Sequence, residues 1–110
     1  IYGSAQNLLS SLEREKFGGG SGEREKELLD CDLLIIDDLG SEFSTQFTVA
    51  CIYNIINTRI NLGKPVIIST NLTGEELEAK YTQRITSRII GSYVSLLFIG
   101  KDIRQLKKFY

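Results

Sequence analysis

The run DLLIIDDLGSE, residues 32–42, decides how the rest of this 110-residue chain is read. Leu33, Leu34, Ile35 and Ile36 follow one another without a polar residue and lead directly into Asp37 and Asp38. An aliphatic run without alternation suits a strand covered on both faces by helices, so a strand is expected over residues 32–37. Aspartate also closes many strands simply because it starts turns. Two adjacent carboxylates are a different matter, because they repel each other unless a cation offsets them. If the pair holds a cation, the rest of its site must come from elsewhere in the chain.

Outward from that run the periodicity changes. IYGSAQNLL reads as the end of a strand entering a helix, and residues 4–16 carry Leu8, Leu9 and Leu12 at helical spacing. Glycines at 18, 19, 20 and 22 then hold regular structure only at an entropic cost, which marks residues 17–22 as a loop or linker. Residues 23–29 form a short charged helix. Residues 45–62 are helical, with Val49, Ile52, Tyr53, Ile56 and Ile60 on one face, Ser44 as N-cap and Gly63 as C-cap. PVIIST, residues 65–70, is a second buried-type strand, and TGEE at 73–76 has capping-box spacing that opens another helix. A further helix over 82–90 is closed by Gly91, YVSLLFIG at 93–100 is a third strand, and 102–110 is a short basic helix.

Strands alternating with helices mean an α/β layer with a parallel sheet. In such sheets ligands sit beyond the carboxyl ends of the strands. Asp37 and Asp38 fall at that end of one strand, Thr70 and Asn71 at the same end of the next. A carboxylate at the tip of an apolar strand is how a P-loop nucleotidase holds Mg²⁺, which takes one or two protein carboxylates plus phosphate oxygens. On that reading Asp37 is the magnesium-side acid, and Asp38 orients and polarises the water that attacks a γ-phosphate. Asn71 could hydrogen-bond that water or the phosphate, or could instead shape an Asx-turn into the helix capped by Thr73. Arg84 and Arg88 are four apart without an acidic partner at that spacing, which suits phosphate recognition, although such a pair is more often a solvated helix face.

Composition bounds the alternatives. A chain this short holds at most one small domain. Its 42% hydrophobic and 25% charged residues are ordinary for a globular protein, and a net charge of −1 argues against binding nucleic acid by bulk charge alone. No apolar run approaches the roughly 20 residues of a membrane helix, and no secretory signal is visible. With no histidine, and Cys31 and Cys51 too far apart for CxxC chemistry, a zinc site and a His-based triad are excluded; both cysteines are expected to be buried reduced thiols. The lack of any methionine suggests a piece of a longer chain.

With these motifs in this order, the chain resembles the second half of a DnaC/IstB-like AAA+ ATPase, the group of bacterial helicase loaders and transposition helper ATPases. LLIIDDLGSE resembles the Walker B motif with its trailing turn, and YNIINTRINLGKPVIISTNLTGEEL the helix, strand and sensor-1 segment that follow. QRITSRIIGSY resembles the Box VII region and FIGKDIRQLKK the closing segment, so the likeness runs from about residue 4 to 108. It implies a P-loop NTPase (AAA+) fold, a three-layer α/β/α arrangement with a parallel sheet truncated before the P-loop strand, and ATP and Mg²⁺ as cofactors. It assigns Asp37 to the metal, Asp38 to water activation, Asn71 to sensor 1, and Arg88 to the arginine finger that reaches a neighbour's γ-phosphate. Arg84 becomes a second nucleotide-side arginine and Arg104 a sensor-2-like residue.

The implied function is cytoplasmic loading of a replicative helicase onto single-stranded DNA, with self-association through the arginine finger and no membrane contact. An IstB-type transposition helper acting on duplex DNA shares the motifs, and a non-catalytic interaction module keeping the fold is a third reading. Lys101, Arg104, Lys107 and Lys108 beside Phe109 and Tyr110 form a basic, aromatic tail of the kind that can track a strand.

Two departures from the family pattern matter. No GxxxxGK[ST] occurs in these residues; in the family it lies upstream of a segment like IYGSAQNLL. Without those amides and that lysine, the 110 residues alone are not expected to bind or hydrolyse ATP appreciably. Position 38 carries aspartate where many AAA+ proteins use glutamate. The resemblance also places the P-loop strand between the sensor-1 strand and the last one. Its absence would leave VIIS and VSLLFI as apolar edges, expected to pair with each other or with a second chain.

Overall fold

Among the described residues, the strand read from the opening run, β2 (Leu34–Asp37), lies at the centre of a three-stranded parallel sheet, between β1 (Tyr2–Ser4) and β3 (Val66–Ile68). The computed structural model describes residues 1–92, so the strand expected at 93–100 and the helix at 102–110, Arg104 included, lie outside the described residues. Between the strands run α1 (Ala5–Phe17), α2 (Glu23–Asp30) and α3 (Gln46–Asn61), followed by α4 (Gly74–Tyr81) and α5 (Gln83–Ser92).

Each helix start has a local cause. Ser4 caps α1 by accepting the Asn7 N–H at 3.1 Å. α2 follows Gly22, which has no side chain to offer, and the Glu15 carboxylate of α1 accepts the Arg24 N–H at 2.9 Å instead. α4 opens with the Thr73–Glu76 capping box that its spacing predicts. α3 is capped by Thr45, not Ser44: Thr45 and Thr48 exchange hydrogen bonds reciprocally, so the second of two adjacent hydroxyl residues takes the cap. β2 starts at Leu34 rather than Asp32, and β3 ends at Ile68. α5 does not stop at Ile90; it continues through Gly91 to Ser92. Between α4 and α5 the chain turns at Thr82, whose φ of 96° is rare for a β-branched residue.

Coverage on both faces of the sheet is not what the described residues show. Leu34 and Ile36 are fully buried under a core that takes Leu8, Leu9 and Leu12 from α1, Leu28 from α2, Ile52, Ile55 and Ile56 from α3, and Leu77 and Ile85 beyond. Burial of such a side chain is worth about 1.5–3 kcal/mol. The register Tyr2–Ile35–Ile67 runs along the opposite face, where Tyr2 is 68% and Ile67 54% exposed. Handedness explains this. Consecutive parallel strands laid down in one direction, each joined by a right-handed crossover, place their helices on the same side.

One buried charge is built into that side. Arg59 of α3 is fully buried and has no carboxylate partner among the described residues. Its Nη1 donates to the carbonyls of Leu28 (3.0 Å), Leu29 (3.3 Å) and Cys31 (2.8 Å), and Nη2 to that of Pro65 (2.8 Å). The guanidinium thus terminates α2 and fixes the entries to β2 and β3 together. Cys31 and Cys51 are free but half-buried rather than buried; burial pushes the Cys51 thiol up to about 11, which keeps it protonated and unreactive.

Candidate functional site

The chain leaves β2 through Asp37 and Asp38, at the carboxyl end of the sheet. Asp37 accepts hydrogen bonds from Ser69 Oγ at 2.6 Å and from the Tyr2 hydroxyl at 3.1 Å, so both neighbouring strands bear on one carboxylate. The Ser69 hydroxyl first, and then that of Tyr2, hold the Asp37 carboxyl below the usual carboxylate range. Ser69 Oγ also accepts the Asp38 N–H at 2.8 Å, joining the two acids through one atom. Asp38 itself adopts φ 57°, the left-handed region, and is exposed. That conformation turns the chain out of the strand, and Ser41 closes the turn on the Asp38 carbonyl at 2.8 Å.

The neighbouring sensor-1 segment is brought to the same place. Leu39 N–H donates to Ser69 O at 2.8 Å and Thr70 Oγ1 to Leu39 O at 2.5 Å, so residues 69–71 lie beside the turn that follows Asp38. Asn71 is exposed in the bend beyond β3, and its side chain makes no hydrogen bond among the described residues. Gly40 is required here: its φ is 108°, and a Cβ would stand 2.4 Å from Leu72 Cδ1.

The turn is clasped from behind by residues that no local pattern reveals. Glu42 is 96% hidden in the fold, with 4% exposure, and takes the Gly40 N–H at 3.0 Å and the hydroxyl of Tyr81 from α4. Burial, and then the Glu42 hydrogen bond, push the Tyr81 phenol well above its ordinary range. Lys80 donates to the Gly40 and Glu42 carbonyls at 2.5 and 2.6 Å. Ser69 was equally unmarked, though its place two residues before Asn71 and level with Asp37 in the ladder is a signal that could have found it.

The arginines lie elsewhere. Arg84 Nη2 donates to Tyr53 OH at 2.8 Å, with the guanidinium 4.6 Å from that ring's centre. Arg88 is half-buried and donates to Asn57 at 2.7 Å and Asn61 at 3.2 Å, in the last turns of α3. Because α3 carries the chain from the carboxyl end of β2 back to the start of β3, those turns stand at the end of the sheet away from Asp37. Arg88 therefore does not join Asp37 within one chain, and Arg84 is bound to Tyr53.

The donor set fits half of the expected cofactor pair. Asp37 and Asp38 could offer one or two oxygen ligands, the number Mg²⁺ takes from protein when phosphates share it, and no cluster of three or more ligating side chains exists among the described residues. The phosphate cradle does not fit: the chain holds no GxxxxGK[ST], and these residues alone offer no amide nest with its lysine. The Asp37 arrangement makes a direct prediction. In metal-free buffer, Ser69→Ala is expected to move the Asp37 titration upward, read by carboxyl ¹³C NMR. A lowered carboxylate stabilises the fold fully above its unfolded pKa, and that contribution fades as pH falls through the folded value. Loss of Ser69 therefore shrinks that contribution throughout the range above the unfolded pKa, and the difference from wild type disappears at acid pH. An unmoved Asp37 titration removes Ser69 as its main partner.

Comparison with known proteins bears on the family and the fold. Residues 1–97 match the family model described as IstB-like ATP binding protein. The chain is 28% identical over 90 residues to the uncharacterized protein YdaV of Escherichia coli (strain K12), covering 81% of this chain and 36% of that one. It superposes on the crystal structure of a DnaC helicase loader with a TM-score of 0.71 at 22% identity, covering 83% of this chain and 56% of that one. A DNA replication initiation factor gives 0.80 at 25% identity, over 99% of this chain and 33% of that one. AMPPCP-bound DnaA from Aquifex aeolicus gives 0.79 at 23%, over 99% and 36%. The chain thus spans between about a third and just over half of these relatives' lengths. No helix among the described residues is long and apolar enough to cross a membrane. By the match over most of its length and the parallel fold it shares with DnaC and DnaA, the chain belongs to the IstB-like ATP binding proteins, of the AAA+ P-loop NTPase fold.

Proposed function

We propose that this chain is the acid-bearing half of an ATP-hydrolysing AAA+ protein of DNA replication, one that loads a replicative helicase onto single-stranded DNA in the cytoplasm. The observation that carries the reading is the gathering of Asp37, Asp38, Ser69 and Asn71 at one sheet end, with Asp37 held by two hydroxyls. Asp37 is the ligand for Mg²⁺, which when bound supplies positive charge to phosphate oxygens. Asp38 orients the attacking water and accepts its proton, and Asn71 donates to the γ-phosphate side. The sheet face left open among the described residues and the missing cradle support a nucleotide site that these residues do not complete by themselves.

Arg88 acts on a neighbour's nucleotide, and its distance from its own Asp37 supports that role. Release of Arg88 from Asn57 and Asn61 accompanies assembly, and Arg84 stands beside it as a second phosphate-side cation. In the full-length protein, Arg88→Ala is expected to lower ATP turnover about 10-fold or more at concentrations where the protein assembles, as loss of a charge-stabilising group does. The dilute, unassembled protein should be unaffected. If dilute and assembled protein lose the same activity, Arg88 is not a finger acting between copies.

The family model's own description favours a second reading, a transposition helper of the IstB type working with a transposase on duplex DNA. Pull-down of the full-length protein with replicative helicase against transposase separates the two.

A further inference from the structure

A cleft of about 560 Å³ opens between the first half of α3 and the α4–α5 corner. Val49, Ala50, Tyr53 and Ile85 give it an apolar floor, and Lys80 and Arg84 stand at its wall. Its size is that of a site for a sizeable apolar group, in the range of roughly 300–1,000 Å³ typical of bound ligands. On the approach to its rim, one residue before Ser44, Phe43 is 88% exposed. That ring does not enter its own cleft; it is held outward by a turn fixed at Gly40, Glu42 and Lys80. A large side chain left in water by a rigid turn, beside a cleft of matching character, is a knob and a hole on one surface.

We propose that a second copy of this chain occupies the cleft, each copy inserting Phe43 into the other about a two-fold axis. Adjacency of knob and hole is what allows reciprocal exchange, since a two-fold contact must be complementary to itself. Charge agrees with shape. The turn that carries Phe43 begins at the exposed Asp38, whereas the cleft wall presents the exposed Arg84, which has no carboxylate partner among the described residues; Lys80 beside it is already held by the Gly40 and Glu42 carbonyls and the Glu42 carboxylate. An apolar aromatic anchor in a pocket rimmed by opposite charges is the usual composition of a binding hot spot. The cleft lies against the first half of α3 and Arg88 against its last turns, with Arg84 bordering both surfaces. It stands without any nucleotide.

Sedimentation velocity on the nucleotide-free full-length protein tests this with two exposed-site variants that spare the core. Phe43→Ser removes the knob and Ala50→Trp fills the hole, and each is expected to weaken dimerisation at least tenfold. The decisive arm mixes them. The serine variant keeps its cleft and the tryptophan variant keeps its phenylalanine, so a heterodimer should form where neither variant alone dimerises. Circular dichroism confirms that both are folded. A monomeric wild-type protein, a Phe43→Ser dimer as strong as wild type, or no association on mixing overturns the proposal. Because ATP turnover is not the readout, this dimer can stand or fall independently of the nucleotide reading.

Discussion

Asp38→Asn in the full-length protein is expected to abolish steady-state ATP hydrolysis, with turnover down by about 10²–10⁴, while ATP binding stays close to wild type. That range is what a positioned general base contributes. The asymmetry follows from where the two acids stand. Asp37 is tied to Ser69 and Tyr2 across both neighbouring strands. Asp38 has left the strand, at φ 57° and exposed, with only its backbone held. A side chain free to meet water suits proton transfer; a side chain fixed by two hydroxyls suits a ligand. Asparagine keeps the size and the backbone bonds but cannot accept a proton. Turnover by single-cycle chemistry and affinity by a fluorescent nucleotide should therefore part company. A variant that binds ten times more weakly yet hydrolyses at the wild-type rate would place Asp38 among the binding groups instead.

Arg59→Ala is expected to cost about 3–5 kcal/mol of stability, read as a drop in the denaturant midpoint at unchanged slope. The fully buried guanidinium satisfies the carbonyls of Leu28, Leu29, Cys31 and Pro65, and a buried acceptor left orphaned costs about 1–3 kcal/mol. Arg59→Lys should recover less than half, because an ammonium cannot present two forked nitrogens toward both the end of α2 and the residue before β3. A midpoint within error of wild type for Arg59→Ala would mean that the carbonyls find other donors.

How much of this was legible follows from which interactions are local. The strand expected over residues 32–37, the helix after it and the Thr73–Glu76 cap are patterns of neighbours; the cap stands where its pattern places it, and the strand and helix stand within two residues of theirs. The meeting of Asp37 with residues 69–71 needed one further rule, that parallel strands end together. The open sheet face needed another, the handedness of crossovers, which an aliphatic run cannot express because Ile35 looks as apolar as Ile36. Arg59 was hidden inside a helical face of ordinary spacing, with three of its carbonyl partners 28 to 31 residues away and the fourth, that of Pro65, six away. Glu42, Lys80 and Tyr81 were invisible for the same reason, since 38 to 40 residues separate them. Ser44 against Thr45 was a choice between equals that tertiary geometry settled.

The clasp of Glu42 by Tyr81 and Lys80 has a mechanical outcome. It welds the segment just past the acids to the last turn of α4, and α5, with both arginines, begins two residues after Tyr81. Whatever pulls on those arginines from outside tugs, through one short strut, on the loop behind Asp38. One short strut thus ties the loop behind Asp38 to the corner from which the arginine-bearing helix departs.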